Sequence, residues 1–402
     1  MLPRFVRGHP LCAACRAASR RRWLRCAQMT GGDEDMERHD QKGSRAVVNL
    51  KPLFGVSTPR GGGSDRFCDT RTPVGWSVLL LTRQEPGCDP REEPLGYDRC
   101  MVSWHRSVAE EFVARGYDVA VNDTRLHVLD EGEGSPVLLL HGNPTWSYLW
   151  RDAIEPLVQA GHRVLVPDQR GFGSSMPMGS PHDDLLEVRV ADLAGLVQAL
   201  GVEQVTLVLH DWGGPIGLAF AATHPELVRA LVVMSTWAWP EPSPFHTSVV
   251  PWRMLHAPVV GPHLLGRHNS LADRGVYLSV VDRAGFRQRA GGAYAEAMPD
   301  AASRLPTVLF PRLIPVGPES PSTGFFSWLQ AQLPSLRMPA LVIWGREDEV
   351  FPPSYADRFV QALGNARGPV LVTGRHFLQE DSGREIGQHV ARFLAEVEGG
   401  TV

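Results

Sequence analysis

Cysteine and lysine are missing from most of this 402-residue chain. All six cysteines and both lysines lie within the first hundred residues, and neither residue type occurs after Met101. Without cysteine, the larger part of the chain can form no disulfide, which is compatible with a reducing cytoplasm. The formal net charge of −4 does not favour binding to nucleic acid or to an anionic membrane surface.

The first hundred residues show little hydrophobic periodicity. They contain an RRR run at 20–22 and a GGG run at 61–63, and their longest apolar run is far too short to span a membrane. We interpret residues 1–100 as a disordered or spurious extension, with Met101 as a sensible start. Two other interpretations stay open. The first 32 residues are Arg-rich and lack acids, as in a targeting peptide, and Cys12, Cys15 and Cys26 form a weak candidate for a metal site.

Strand-like and helix-like segments alternate from Met101 onward. This alternation of apolar strands with helices predicts an α/β fold with a mostly parallel central sheet flanked by helices. We assign residues 101–237 and 333–402 to this core. The predicted strands are a hairpin-like pair over 117–132 and then 136–142, 162–171, 205–211, 228–236, 338–348 and 366–377, with helices over 146–160, 185–200, 213–225 and 385–397.

Residues 238–332 interrupt the alternation. They are irregular and rich in Pro and Trp, with helix-like patches around 270–295. An insertion of this length within an α/β sheet is best explained as a helical cap placed after the sixth strand. We expect the cap to cover the carboxyl edge of the sheet, where open α/β folds bind ligands.

The segment LVLHDWGGPIGLAF, residues 207–220, is typical of a strand, a sharp turn and the start of a helix. Such an elbow exposes one side chain on a strained turn and requires small neighbours, which Gly213 and Gly214 supply. The exposed residue is Asp211, at a helix N-terminus whose free N–H groups stabilise negative charge. A carboxylate that attacks a saturated carbon leaves an ester that water can hydrolyse. An aspartate here therefore favours displacement at a carbon–halogen bond or an epoxide.

Two residues further along the chain fit the remaining catalytic roles. Hydrolysis of the ester requires a base, and His376 in GRHFLQED follows the last predicted strand. A histidine base needs an orienting acid, and Asp348 in WGRED ends the strand before it. The order Asp211, Asp348, His376 is nucleophile, acid and base, as in the α/β-hydrolase class.

Two donors are candidates for holding the leaving group. Asn143 lies on the loop after a buried strand, and Trp212 follows the nucleophile. The side-chain N–H groups of both could converge on a departing halide, since an indole N–H can only donate. The backbone N–H groups of Asn143 and Trp212 could form an oxyanion hole for the second step.

Taken together, these motifs resemble the haloalkane dehalogenases of the α/β-hydrolase superfamily. The similarity covers about residues 110–398, and the pairing of Asn143 with Asp348 resembles the third subgroup of that family. The resemblance implies a halogenated alkane and water as substrates, no cofactor and no metal, with an alcohol, a halide and a proton as products. The matching segments are HGNPTWSYLWR (141–151), PDQRGFGSS (167–175), HDWGGPIGL (210–218), WGREDEVFPP (344–353) and HFLQED (376–381).

Two other functions, an epoxide hydrolase and a non-enzymatic binding protein, are alternatives to a haloalkane dehalogenase. An epoxide hydrolase would use the same triad with two cap tyrosines, for which Tyr277 and Tyr294 are available, although Asn143 argues against it. A non-enzymatic binding protein would be expected to lack a triad residue, and none is missing. We expect a cytoplasmic monomer or small homo-oligomer that binds neither nucleic acid nor membrane. For five aromatic residues, lining of the pocket and packing in the core are equally plausible: Trp237, Trp239, Trp252, Phe286 and Phe310.

Overall fold

The computed structural model describes residues 109–179, 185–255 and 257–400. The interpretations made above for residues 1–100, including Cys12, Cys15 and Cys26, lie outside these residues, as does the start proposed at Met101. Within the described ranges, no helix combines the length and the apolar character needed to cross a membrane. The same ranges contain no cluster of three or more His, Cys, Asp or Glu side chains suited to a metal ion.

An eight-stranded sheet forms the centre of the fold, in the order β1-β2-β4-β3-β5-β6-β7-β8. The pairs β1–β2 and β2–β4 are antiparallel, and every other pair is parallel. The expected mostly parallel sheet is therefore confirmed. Its strands are β1 (Gly116–Val121), β2 (Thr124–Glu131), β3 (Ser135–Leu140), β4 (His162–Pro167), β5 (Val205–His210), β6 (Val228–Met234), β7 (Ala340–Gly345) and β8 (Ala366–Val372).

The central strands are apolar because both faces of the sheet are covered. All six residues of β5 and all six of β7 are buried. Parallel strands that are buried on both sides are typically continuous apolar runs without polar alternation. Five helices pack beside the sheet: α1 (Arg151–Gln159), α2 (Leu186–Ala199), α3 (Gly213–Thr223), α12 (Ser354–Ala362) and α13 (Leu378–Glu398).

Short helices fill the chain between β6 and β7, residues 235–339, which we call the inserted segment. The cap boundaries at 238 and 332 stay a prediction. The α-helices here are α4 (Pro244–Ser248), α5 (Val250–Leu255), α6 (Val260–Pro262), α7 (Val276–Leu278), α8 (Arg283–Ala290), α9 (Ala293–Glu296), α10 (Leu305–Leu309) and α11 (Thr323–Gln332), with π-helical turns at His263–Arg267 and Leu271–Gly275. Within the described ranges, 3₁₀ turns occur at Ser147–Trp150, Pro225–Leu227, Phe310–Leu313 and Leu333–Ser335.

Two helices differ from the sequence-based expectation. The last helix begins at Leu378 and not at residue 385. The non-helical backbone of Ser382 (φ −136°, ψ 28°) interrupts the amphipathic period near the start of this helix, and the sequence pattern therefore predicts only the part after the interruption. Helix α12 was not predicted from the sequence, although five of its residues pack in or against the core: Tyr355, Ala356, Phe359, Val360 and Ala362.

Candidate active site

Asp211 lies on the turn between β5 and α3. Its backbone is in the left-handed region, with φ 50°, which is uncommon for a residue other than glycine. Three hydrogen bonds hold this conformation: Asp211 N–H donates to Ser235 O (3.2 Å), while Asp211 O accepts from Gly214 N–H (2.9 Å) and from the hydroxyl of Thr236 (2.6 Å). Strain of this kind persists only where the surroundings over-determine it. The elbow therefore holds the carboxylate at a fixed place.

Two glycines leave room for this turn. A Cβ atom at Gly214 would overlap the Thr236 side chain. The elbow motif requires a small residue here, and glycine leaves room for the Thr236 hydroxyl to donate to Asp211 O. A Cβ atom at Gly142 would overlap the Asp211 carboxylate itself. No sequence motif indicates this role of Gly142, because the contact joins two loops that are 69 residues apart in the chain.

The structure brings the three expected triad residues together. His376 Nε2 lies 3.4 Å from Asp211 Oδ2, and His376 Nδ1 lies 3.4 Å from Asp348 Oδ2. The other oxygen of Asp348 accepts the backbone N–H groups of Val350 (2.9 Å) and Phe351 (3.0 Å). The Asp348 carboxylate is thus fixed with one oxygen toward the imidazole.

Burial and charge act against each other in this cluster. Burial opposes ionisation of Asp211, but the hydrogen bond and the positive charge of His376 outweigh it and lower the pKa of Asp211. Burial would lower the pKa of His376, but Asp348 and Asp211 outweigh it and raise that pKa to about 9. Asp211 is therefore ionised at neutral pH, beside a protonated His376.

Asn143 and Trp212 both lie at the carboxylate. The backbone N–H of Asn143 donates to Asp211 Oδ1 (2.7 Å), and the backbone N–H of Trp212 also contributes a hydrogen bond that lowers the pKa of Asp211. The Asn143 side-chain oxygen is buried and has no hydrogen-bond partner within the described ranges. The Asp211 oxygens are thus distinct, because Oδ1 accepts the backbone N–H of Asn143 while Oδ2 faces His376.

A cavity of about 410 Å³ opens onto these residues. Asp211, Trp212, Asn143 and His376 are part of its lining. Most of the remaining wall is apolar and comes from the inserted segment, including Leu255, Leu264, Leu265, Leu271, Leu278 and Ile314. An apolar cavity with a few convergent polar groups is the usual form of a small-molecule site.

Known proteins share this arrangement of sequence and fold. Residues 135–256 match the model of the family described as alpha/beta hydrolase fold. A haloalkane dehalogenase of Mycolicibacterium paratuberculosis is 33% identical over 287 residues, covering 69% of this chain and 91% of that protein. A cis-3-alkyl-4-alkyloxetan-2-one decarboxylase of Shewanella oneidensis is 32% identical over 280 residues, covering 69% of this chain and 87% of that protein.

This chain belongs to the haloalkane dehalogenase family of the α/β-hydrolase superfamily. Solved structures agree with that assignment. The ancestral haloalkane dehalogenase AncHLD2 is 30% identical, with a TM-score of 0.64, and the match covers 70% of this chain and 99% of that one. The haloalkane dehalogenase DbeA from Bradyrhizobium elkani is 26% identical, with a TM-score of 0.64, covering 71% of this chain and 99% of that one.

The sequence located the residues of the cavity wall only in part. Trp237 and Trp252 line the cavity, whereas Trp239, Phe286 and Phe310 do not. The Trp237 ring lies edge-on to that of Trp212, with ring centroids 4.6 Å apart. The leucines of the inserted segment were missed, because no motif distinguishes a wall leucine from a core leucine.

The two tyrosines considered for an epoxide hydrolase are not at the cavity of this family member. Tyr294 is almost fully buried, and its hydroxyl donates to Glu380. The Tyr277 ring lies beneath the guanidinium of Arg287, 4.3 Å from its centre. Neither tyrosine lines the cavity, so the structure does not support the two tyrosines as proton donors to an epoxide at Asp211.

Two further histidines of the dehalogenase motifs, His141 and His210, have supporting positions. His141 Nδ1 donates to Gly142 O (2.9 Å), and its Nε2 accepts the backbone N–H of Gln169 (2.9 Å). His210 Nε2 donates to the carbonyl of His376 (2.8 Å). Burial lowers the pKa of His141 to about 3 and that of His210 to about 4. Both imidazoles are therefore neutral and hold loops of the site.

Proposed function

We propose that this protein hydrolyses the carbon–halogen bond of a haloalkane through an ester on Asp211. The observation that carries the proposal is the pair of contacts at one carboxylate that lines a mostly apolar cavity: Asn143 N–H on Oδ1 and His376 Nε2 near Oδ2. A carboxylate placed in this way is suited to attack at a saturated carbon that the cavity holds.

In the first step, Oδ2 of Asp211 forms a bond to the substrate carbon while the carbon–halogen bond breaks and the electron pair leaves with the halide. The side-chain N–H groups of Asn143 and Trp212 donate to the departing halide. An indole N–H and an amide N–H both favour an anion at this place. No base is needed here, because the low pKa of Asp211 keeps it ionised.

In the second step, His376 takes a proton from water, and the resulting hydroxide attacks the ester carbonyl of Asp211. The carbonyl oxygen derives from Oδ1, which already accepts the backbone N–H of Asn143. That N–H group, with the N–H of Trp212, stabilises the oxyanion. Collapse breaks the bond between the ester carbonyl and the alkyl oxygen, so that alcohol leaves, Asp211 is restored and one proton is released overall.

The first test is bromide release from 1-bromobutane by the full chain. We expect release by the parent protein and a loss of at least about 10³-fold in Asp211→Ala, as for removal of a nucleophile in other covalent hydrolases. The matched control is Asp357→Ala, which removes an exposed carboxylate from helix α12 and should leave the rate unchanged. A folded parent protein that released no bromide would contradict the proposal.

A second candidate function is the decarboxylation of a dialkyl β-lactone to an alkene and carbon dioxide. It is favoured by the relative of that name in Shewanella oneidensis and by a cavity that exceeds the volume of a short haloalkane. This reaction consumes no water and releases no halide. Alkene formation from a cis-3,4-dialkyloxetan-2-one, with no halide release from bromoalkanes, would select this function over the first.

A further inference from the structure

A second set of charged groups is buried beside the catalytic residues, and the proposed chemistry does not use it. The Glu380 carboxylate has no exposed surface and accepts two hydrogen bonds from the Arg151 guanidinium, at 2.6 and 2.7 Å. The Tyr294 hydroxyl donates a further bond to the same carboxylate. We call Arg151, Glu380 and Tyr294 the buried trio.

The buried trio joins three separate parts of the fold. Arg151 is the first residue of α1, Glu380 lies in the first turn of α13, and Tyr294 lies on α9 of the inserted segment. Glu380 is only four residues from His376, and its backbone N–H donates to Phe377 O (3.0 Å). The turn that carries the base is thus continuous with the buried carboxylate.

Other bonds tie the same turn to the inserted segment. Phe377 N–H donates to Ser279 O (3.2 Å), and the Arg289 guanidinium donates to Glu380 O (3.1 Å). The carboxylate of Asp381 accepts the backbone N–H groups of residues 281 and 282. Ser279 also lines the cavity. The turn of His376 is therefore held between the sheet and the wall of the substrate cavity.

The nucleophile is held by different elements. Asp211 is fixed by the β5–α3 elbow and by the N–H of Asn143, and none of these groups contacts the buried trio in the bonds described above. The trio is thus bonded to the turn of His376 and not to Asp211, and the two sides are joined by His210, whose Nε2 donates to His376 O (2.8 Å). A change in the trio is therefore expected to act first on His376. Small misplacements of a catalytic group are costly, of the order of 10²-fold for about 1 Å.

We propose that the buried trio is a positioning element for His376, which sets the imidazole for hydrolysis of the Asp211 ester and has no part in halide displacement. This inference rests on the proposed function. Tyr294, Glu380 and Arg151 act through His376 and do not touch the substrate. A charge-assisted network of this kind holds its members in one arrangement because a buried carboxylate that loses a donor is poorly satisfied.

The test separates the two chemical steps with Tyr294→Phe, which removes one hydroxyl and keeps the ring. With 1-bromohexane, kcat/KM reports steps up to halide displacement, and kcat includes ester hydrolysis. We expect kcat to fall about tenfold or more. The fall should not exceed the 10²–10⁴-fold that a positioned base supplies in total, and kcat/KM should stay within about twofold of the parent. Intact-mass spectra during turnover should show a larger fraction of alkylated protein.

The matched control is Tyr277→Phe, which removes a hydroxyl from the same segment at a ring that packs on Arg287, and it should match the parent. A second variant, Arg151→Lys, keeps the charge but loses the two-pronged contact and should also lower kcat selectively. Equal losses in kcat and kcat/KM, or no change in either, would overturn the inference. A parent protein that released no bromide would instead overturn the proposed function and this inference with it.

Discussion

The two oxygens of the Asp211 carboxylate have different partners, and these partners have different roles in the proposed mechanism. Asn143 N–H holds one oxygen, and His376 faces the other. Because displacement needs only the ionised carboxylate, a change at His376 should spare the first step. We expect His376→Gln to release at most one halide per protein molecule and to accumulate an alkyl ester on Asp211.

Intact-mass measurement before and after addition of 1-bromobutane checks this prediction. The double variant with Asp211→Ala is the control, since it has no carboxylate to alkylate and should show no adduct. If His376→Gln alone showed no mass increase although it was folded, the covalent scheme would be wrong.

In the proposed mechanism, the charge of Asp211 also sets the pH dependence of His376 as the base. In the free protein Asp348 and Asp211 raise the pKa of His376 to about 9. Ester formation removes the negative charge of Asp211 and hence one of the groups that favour the imidazolium. The pKa of His376 should therefore be lower in the alkylated protein, which makes the imidazole available as a base.

We expect kcat to rise with pH to a plateau, with a midpoint below 9, because hydrolysis requires neutral His376. The value of kcat/KM should stay level over the same range, because displacement requires only ionised Asp211, whose pKa is lowered. Initial rates of bromide release between pH 6 and pH 9.5 measure both. A kcat midpoint at or above 9 would contradict the role of the Asp211 charge.

At the scale of secondary-structure elements, the loop after β3 can pack against the turn after β5 because residue 142 is a glycine. A methyl group at Gly142 would overlap the Asp211 carboxylate. We therefore expect Gly142→Ala to lower bromide release by about 10²-fold or more, through displacement of the nucleophile. Gly324→Ala is the control, since a Cβ atom there meets no neighbour and α11 should tolerate it. Activity of Gly142→Ala near the parent level would show that the carboxylate adapts.

Local patterns were sufficient to predict most elements of the fold. Buried parallel strands such as β5 and β7 are recognisable as apolar runs, and the triad residues follow strand ends in a fixed order. The role of Gly142 and the bond between Tyr294 and Glu380 could not be predicted in this way. Both features depend on contacts between elements that are far apart in the sequence. The hydrophobic periodicity of a single element carries no information about such contacts.

Across the whole molecule, the cavity between core and inserted segment has room for far more than a short haloalkane. Each buried methylene contributes about 0.8 kcal/mol. We therefore expect kcat/KM for 1-bromoalkanes to rise from bromobutane toward bromodecane, by up to roughly fourfold per methylene.

The wall of the cavity offers a direct check on this expectation. Leu265 is buried and lines the cavity, so Leu265→Trp should reduce the available volume and shift the preferred chain toward shorter bromoalkanes. Val316→Trp is the control, because Val316 is 56% exposed and does not line the cavity. If the parent and Leu265→Trp had the same chain-length profile, substrate length would be selected elsewhere than at this wall. Met254 and Leu278, which are exposed and also line the cavity, would then be the next positions to substitute in the same way.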